Sequence, residues 1–392
     1  AIGPGRKLGL PTSLGIYYLI LCRACGFDPY KGEEWKVMGL APYGTYDPQL
    51  YDLLRPMLQV DGLEVRSPSD ESRRIGKLLQ NIRPSGSSPL DAADLACTGQ
   101  VVFSEVCEEL FCNLHELGLS DNLVLGGGCA LNSAWNGRIL DRTPFQELFV
   151  PSAPADDGNA AGAAWLAFRQ DNPDARSDKT VQTPFLGSRM SPQTLARLQT
   201  LGGLSPTRLS PDAIGATAAK LLAAGKIVGW VQGRAEFGPR ALGNRSILAD
   251  PRRGDIKDRL NAEVKYREQF RPFAPAILEE YGRDYFADYQ PSPYMERTLS
   301  FRDDVRAKIP GVVHVNGTGR LQTVTRDFNP RYYDVIASFR EVTGVPVLLN
   351  TSFNVMGKPI IHSVEDALAV FHTSGLDAMV VEDLLFEKKG ST

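Results

Sequence analysis

Two stretches of the chain share one pattern: a short apolar run, a turn built of small residues, then a helix. They are "NLVLGGGCALNSAWNGRIL" at 122–140 and "ELFVPSAPADDGNAAGAAWLAF" at 147–168. Successive strand–turn–helix units restrict a chain to the α/β class, because each helix must return across the sheet before the next strand can join it. In the second unit, Ala160, Ala161, Gly162, Ala163 and Ala164 form a surface small enough for close helix packing. Upstream, Val102, Val106, Leu110 and Leu114 recur every four residues and predict a long helix over about 91–117.

At 392 residues the chain is long for a single hydrophobic core. The polar, irregular stretch "QDNPDARSDKTVQTPFLGSRM" at 170–190 is the best boundary, and it gives domains of 1–190 and 191–392. In the second domain, Ser210 as N-cap and Pro211 at the first helical position predict a helix ending near Gly225. Residues 227–231 read as a buried strand. Ser363, with Asp366 three residues on, forms a near capping box for a helix whose apolar face is Val364, Leu368 and Phe371.

Charge has to be read locally. With 43 basic and 46 acidic side chains the net charge is only -3, which supplies no overall field for nucleic acid or a membrane surface. The longest apolar stretch, "LGIYYLILCRACGF", breaks at Arg23, short of the roughly 20 residues of a membrane span. Arg6 and Lys7 lead into no signal-peptide pattern. Six cysteines are scattered, and no second pair stands at zinc spacing from Cys22 and Cys25, so buried reduced thiols and a cytoplasmic location are expected. His115, His314, His362 and His372 form no paired metal motif, and each alone reads as structural.

The candidate chemistry sits at strand ends. Gly126, Gly127 and Gly128 lack both the dinucleotide glycine spacing and a P-loop lysine, so they are either an anion or ribose loop or a tight turn, with Asn132 able to point into the same crevice. Asp156 and Asp157 suit a cation or a helix start equally. In "QGRAEFGPRALGNRSILADPR", Arg234, Arg240, Arg245 and Arg252 alternate with glycines around Glu236 and favour an anion site. "EVKYREQFRPFAPAI" adds Lys265, Arg267 and Arg271, while Glu263, Glu268, Glu279 and Glu280 dilute any nucleic-acid patch. A small polyanion such as a nucleotide fits better. "VPVLLNTSFN" ends a strand in Asn350, Thr351, Ser352 and Asn354, which either meet ligand oxygens or satisfy a turn.

Assembled, the phrases "KVMGLAPYG" (36–44), "LGGGCALNSAWNGRI" (125–139), "APADDGNAAGAA" (153–164), "FGPRALGNRSILADPR" (237–252), "FRPFAPAI" (270–277) and "NTSFNVMGKPI" (350–360) resemble the O-carbamoyltransferase family of nodulation and antibiotic-tailoring enzymes. The resemblance implies an α/β fold in which the C-terminal part of an actin-like, sugar-kinase-like domain precedes a mixed α/β domain similar to threonylcarbamoyl-adenylate synthase. It implies that the latter makes carbamoyl-adenylate from carbamoyl phosphate and ATP, and that the former passes the carbamoyl group to a hydroxyl of a small natural product.

By the same resemblance, Lys265 and Arg267 are the basic pair on the phosphates, with Arg271 beside them, and Ser352, Asn354 and Thr351 belong to the nucleotide motif. Arg240, Asn244 and Arg245 look like further phosphate or carbamoyl contacts. Gly127, Gly128 and Asn132 look like the other domain's nucleotide turn, and Asp157 like its metal ligand. The implied cofactors are ATP, Mg²⁺ and a transition metal such as Fe²⁺, with no nucleic acid and no membrane as partner. The family's paired-histidine segment has no counterpart here, so a separate chain supplying the N-terminal half of the transfer domain is one expectation and an omitted segment another. A metabolite kinase, which would release ADP, and a non-catalytic nucleotide-binding accessory are the rival readings.

Overall fold

The periodic stretch forms the helix Ala93–His115. In the computed structural model, which describes residues 13–67, 71–80, 83–175, 183–201 and 205–388, the chain divides into two compact units between Phe149 and Val150. In the first unit Val102 and Val106 are sealed, Phe103, Cys107 and Phe111 widen the buried face, and Leu110 and Leu114 are half-buried. The helices Leu14–Ala24, Glu34–Leu40 and Pro48–Leu54 lie against this one. Ser13 caps the first of them, its Oγ accepting from Ile16 N at 3.1 Å.

Cys22 and Cys25 are buried free thiols, and burial pushes both up to about 12, which keeps them protonated and unreactive. Strands β1 (Gln59–Asp61) and β2 (Glu64–Arg66) form a hairpin, and β3 (Asn122–Val124) runs parallel to β4 (Glu147–Phe149), as the strand–turn–helix pattern requires. The helix expected after the glycine turn is broken into a 3₁₀ turn, Gly128–Leu131, and two short helices, Ser133–Asn136 and Ile139–Arg142. Asn132 causes the first break by leaving the helix and capping the next one from its side chain.

The second unit opens with the helix Asp156–Asp171, none of whose residues is buried. The close packing expected of Ala160–Ala164 is therefore not met among the described residues. The polar stretch 170–190 is only partly described. Residues 176–182 lie outside the described set, as do Arg6 and Lys7, and 183–190 is stitched to the second unit by Gly187 N to Ala235 O and Ala235 N to Ser188 O, both 2.9 Å.

Nine strands form one sheet: β5 (Thr207–Arg208), β6 (Val228–Val231), β7 (Arg245–Ala249), β8 (Ala274–Leu278), β9 (Arg297–Ser300), β10 (Thr318–Val324), β11 (Val347–Ser352), β12 (Ala378–Val381) and β13 (Leu384–Glu387). Their order is β5-β13-β12-β6-β7-β11-β8-β10-β9, and only β6 with β12 and β8 with β10 pair parallel. Central strands β6, β7 and β8 are buried along their whole length, so both faces of the sheet are covered there.

The helices Ala213–Ala223 and Pro330–Thr343 pack against each other, closely enough that Gly215 meets the Asp334 backbone. The first of these begins two residues beyond Pro211, with Asp212 at the cap, because Ser210 and Pro211 are spent on a turn closed by Ala213 N to Ser210 O at 2.9 Å. The capping box at Ser363 and Asp366 forms as expected. No described helix is long and apolar enough to cross a membrane.

Candidate functional site

The floor of the site is one face of the second unit's sheet. Side chains two residues apart on a strand share a face, so Thr318, Arg320 and Gln322 of β10 project together, as do Asn350 and Ser352 of β11. Between these strands runs β8, whose Ala274 and Ala276 face Asn350 and Gln322 in register. Because those two side chains are single methyl groups, Asn350 Nδ2 reaches over them to Gln322 Oε1 at 2.8 Å.

The pair then holds the glycine-rich loop above the floor. Gln322 Nε2 donates to Leu242 O at 2.9 Å and Asn350 Nδ2 to Ala241 O at 3.2 Å. Glu236 closes the loop from its other end. Its Oε1 accepts the N–H groups of Leu242, Asn244 and Arg245 at 2.7, 2.8 and 3.2 Å, which places Arg240 at the apex of a pinned turn.

Lys265 arrives by a different local device. Residues Leu260–Lys265 form a π-helical turn, an uncommon geometry that recurs at functional sites, and Tyr266 then takes φ 48, a left-handed conformation costly for a residue with a Cβ. This reversal turns the Lys265 ammonium onto the end of β11. Its Nζ donates to Ser352 O (2.8 Å), Ser352 Oγ (3.3 Å), Asn354 O (3.0 Å) and Asn354 Oδ1 (2.6 Å), while Ser352 Oγ donates to Asn354 Oδ1 at 2.8 Å. The lysine, serine and asparagine read separately in the sequence are thus one hydrogen-bonded cluster. Phe353, between them, is fully buried and its ring lies over Gly229, where any side chain would collide with it.

Arg267 is fixed by Nε to Asn261 Oδ1 (2.8 Å) and by stacking on Phe273, its guanidinium 4.5 Å from the ring centroid. Arg271 meets Glu268 at 3.3 Å. The cations crowd one another. Burial, then Arg267 and Arg271, hold Lys265 well below the usual lysine range. Burial and Arg271 pull Arg267 down to about 9, and burial pulls Arg240 to about 10. Arg320 is lowered further by burial and by Arg240, Arg267 and Arg271. Since Arg240, Arg267, Arg271 and Arg320 are only half-buried, they wall a recess that solvent still reaches. A recess of this kind is short of negative charge, and a polyanion corrects it.

Arg320 escaped the sequence reading because its strand "TGRLQTV" shows an isolated arginine with no cluster around it. The detectable signal was an arginine amid an otherwise buried strand pattern. Two expected contacts have other work in this geometry. Arg245 is completely buried, and its terminal nitrogens donate to the carbonyls of Gln232, Asn244, Ser188 and Gly233 at 2.9–3.1 Å. Asn244 joins Arg234 O (2.8 Å) to the Asn329 amide (3.0 Å). Thr351 is half-buried on the opposite face of β11 from Ser352.

His314 lies beside Arg320. Burial, with Arg320 and Lys257 as nearby cations, pulls its imidazole down to about 3. An unfolded histidine titrates near 6.5, so between about 3 and 6.5 the unfolded chain binds the extra proton and stability falls as pH drops through that window. His314→Gln is expected to show a shallower loss in urea titrations run at about pH 7 and about pH 4.5, and equal losses would remove His314 as a contributor.

In the first unit, Gly127 sits at φ 92, and open space surrounds both it and Gly128. Asn132 is turned inward. Its Oδ1 accepts from Trp135 N at 3.1 Å and its Nδ2 donates to Gln100 Oε1 at 3.0 Å.

The family model "Carbamoyltransferase N-terminus" matches residues 3–165 and "Carbamoyltransferase C-terminus" matches 219–388. The nodulation protein NolO of Bradyrhizobium diazoefficiens is 39% identical over 390 residues, covering 96% of this chain and 69% of that protein. The chain belongs to the carbamoyltransferase family.

Nodulation protein NolNO of Sinorhizobium fredii is 40% identical over 389 residues, and an uncharacterized Synechocystis protein 35% identical over 426. The chain spans 56% and 68% of their respective lengths. A solved structure, full-length HypF in its phosphate- and nucleotide-bound form, aligns at a TM-score of 0.32 and 17% identity over 50% of this chain and 27% of that one.

As in other carbamoyltransferases, the α/β architecture is a partial actin-like domain followed by a synthase-like one. A resident metal is a different matter. Among the described residues no three His, Cys, Asp or Glu side chains gather, and Asp157 Oδ1 accepts the N–H of Gly158 at 3.0 Å at the start of its helix. These residues do not by themselves fit a transition metal.

Proposed function

We propose that the recess of the second unit forms carbamoyl-adenylate from carbamoyl phosphate and ATP, the first half of an ATP-dependent O-carbamoyl transfer. The observation that carries this reading is the convergence of Lys265, Arg240, Arg267, Arg271 and Arg320 on one half-buried recess bordered by the Ser352–Asn354 cluster. Two polyanions must meet there, and fixed cations offset their repulsion and stabilise charge on the transferring phosphoryl group.

Atom balance sets the order of events. Carbamoyl phosphate first loses inorganic phosphate to water, and a carbamate oxygen then attacks the α-phosphate of ATP with departure of pyrophosphate. No protein nucleophile is required. Ser352 and Asn354 are assigned to the nucleotide, the half-buried arginines to the phosphates, and Arg245 and Asn244 to holding the loop that carries Arg240, while Thr351 faces the other side of β11. Mg²⁺ would travel with the nucleotide. Family membership supports a carbamoyl transfer in general, and the acceptor in this reading is a hydroxyl of a small natural product reached through the actin-like domain. The turn at Gly127, Gly128 and Asn132 in the first unit remains assigned to the intermediate.

The test is exchange of labelled pyrophosphate into ATP. Exchange should require carbamoyl phosphate, and the accumulating nucleotide should be AMP after hydrolysis of the adenylate. Production of ADP without exchange would establish the kinase reading instead.

A further inference from the structure

A pocket made for phosphates offers hydrogen-bond donors almost everywhere, since lysine and arginine cannot accept. An acceptor placed among them is therefore informative. Thr318 stands two residues before Arg320 on the same face of β10, and its hydroxyl carries the His314 ring, with Nδ1 and Oγ1 3.1 Å apart. The main chain fixes the approach, His314 N donating to Thr318 O at 2.8 Å and Gly317 N to His314 O at 2.9 Å.

The direction of the ring's bond follows from its neighbours. Asn316 Oδ1 receives the Thr318 N–H at 3.3 Å, and the Thr318 hydroxyl donates its only proton to the same oxygen at 2.8 Å. No proton is left on that hydroxyl for the imidazole, so Nδ1–H must donate to Oγ1. A neutral ring protonated at Nδ1 presents a bare lone pair at Nε2. Nε2 is buried and has no partner among the described residues. Such an atom is costly to bury if nothing ever meets it. The neighbouring Arg320 Nε is also buried without a partner among the described residues.

We propose that His314 Nε2 accepts a hydrogen bond from the NH₂ group of the carbamoyl donor, and that this bond makes the recess select an amide-bearing acyl phosphate over its methyl counterpart, acetyl phosphate. The inference rests on the reading of the recess as the carbamoyl phosphate site. The two compounds present the same phosphate to the arginines and differ only in NH₂ against CH₃. A cluster of donors cannot tell these apart, whereas a lone pair facing a methyl group stays unpaired.

The experiment measures carbamoyl-phosphate-dependent pyrophosphate release, with acetyl phosphate as competitor, in the wild type, His314→Phe, His314→Gln and Thr318→Val. His314→Phe should raise KM for carbamoyl phosphate by at least about tenfold while KM for ATP and the inhibition constant of acetyl phosphate stay within about twofold. His314→Gln, which returns an acceptor near the Nε2 position, should recover part of the selectivity. Thr318→Val, which frees the ring to change tautomer, should lose part of it, and it serves as the test if His314→Phe does not fold. Unchanged selectivity in a folded His314→Phe or Thr318→Val protein overturns the proposal and leaves the recess as an adenylation site. A wild type that releases no pyrophosphate with carbamoyl phosphate overturns both.

Discussion

Lys265→Met is expected to lower carbamoyl-phosphate-dependent exchange by about 10²–10³-fold, the usual cost of removing one positioned charge from a phosphoryl-transfer site. The substitution keeps the length and bulk of the side chain and removes only the ammonium that four oxygens of Ser352 and Asn354 surround. Two opposing terms then act on stability. Those oxygens lose a donor, while Arg267 and Arg271 lose a like charge beside them. The net change should stay within about 2 kcal/mol, so that activity falls much further than folding. Lys265→Arg should fare little better, because a planar fork does not fit a cage shaped for a compact ammonium. Exchange and thermal melts on the same preparations check both halves, and an active Lys265→Met protein would remove this residue from the phosphate site.

The second large effect couples a loss of function to a gain in stability. Arg320 is lowered by burial and by Arg240, Arg267 and Arg271, so the ligand-free protein maintains it against repulsion. Arg320→Met should therefore stabilise the free protein by about 1–3 kcal/mol, a melting point higher by roughly 3–10 °C. The wild type should gain about 2.7 kcal/mol from pyrophosphate at a hundred times its dissociation constant, and the variant should lose most of that gain along with exchange activity. A variant that melts below the wild type and responds equally to pyrophosphate would show Arg320 to be structural. A stability gain coupled to a functional loss is the expected mark of a site whose charges are kept for a ligand.

Legibility differed sharply between parts of the molecule. Local patterns carried the helix over Ala93–His115, the capping box at Ser363 and Asp366, and the buried strand Val228–Val231, because periodicity and caps are properties of neighbours in sequence. They failed after the glycine turn, where one expected helix became three short pieces once Asn132 spent its side chain on a cap. They failed again at Asp156–Asp171, where small residues promised close packing and the helix buries nothing. The basic residues were legible as a class but not by task. Arg240 lies in the loop and Arg245, five positions on, opens β7, yet the first lines the recess and the second is buried among four carbonyls.

Successive strand–turn–helix units were enough to determine an α/β chain, and resemblance to the family, not spacing, marked Lys265 with Arg267 and Ser352 with Asn354 as two separate groups of phosphate and nucleotide contacts. Which side chains meet was decided only by the sheet. The register of β8, β10 and β11 places Arg320, Gln322 and Asn350 on a single face across two alanines, and a π-helical turn aims Lys265 at the end of β11. The same tertiary contacts converted His314 from an unremarkable core histidine into an acceptor among donors. The tautomer of a ring depends on the proton inventory of groups packed around it, and no linear pattern records that.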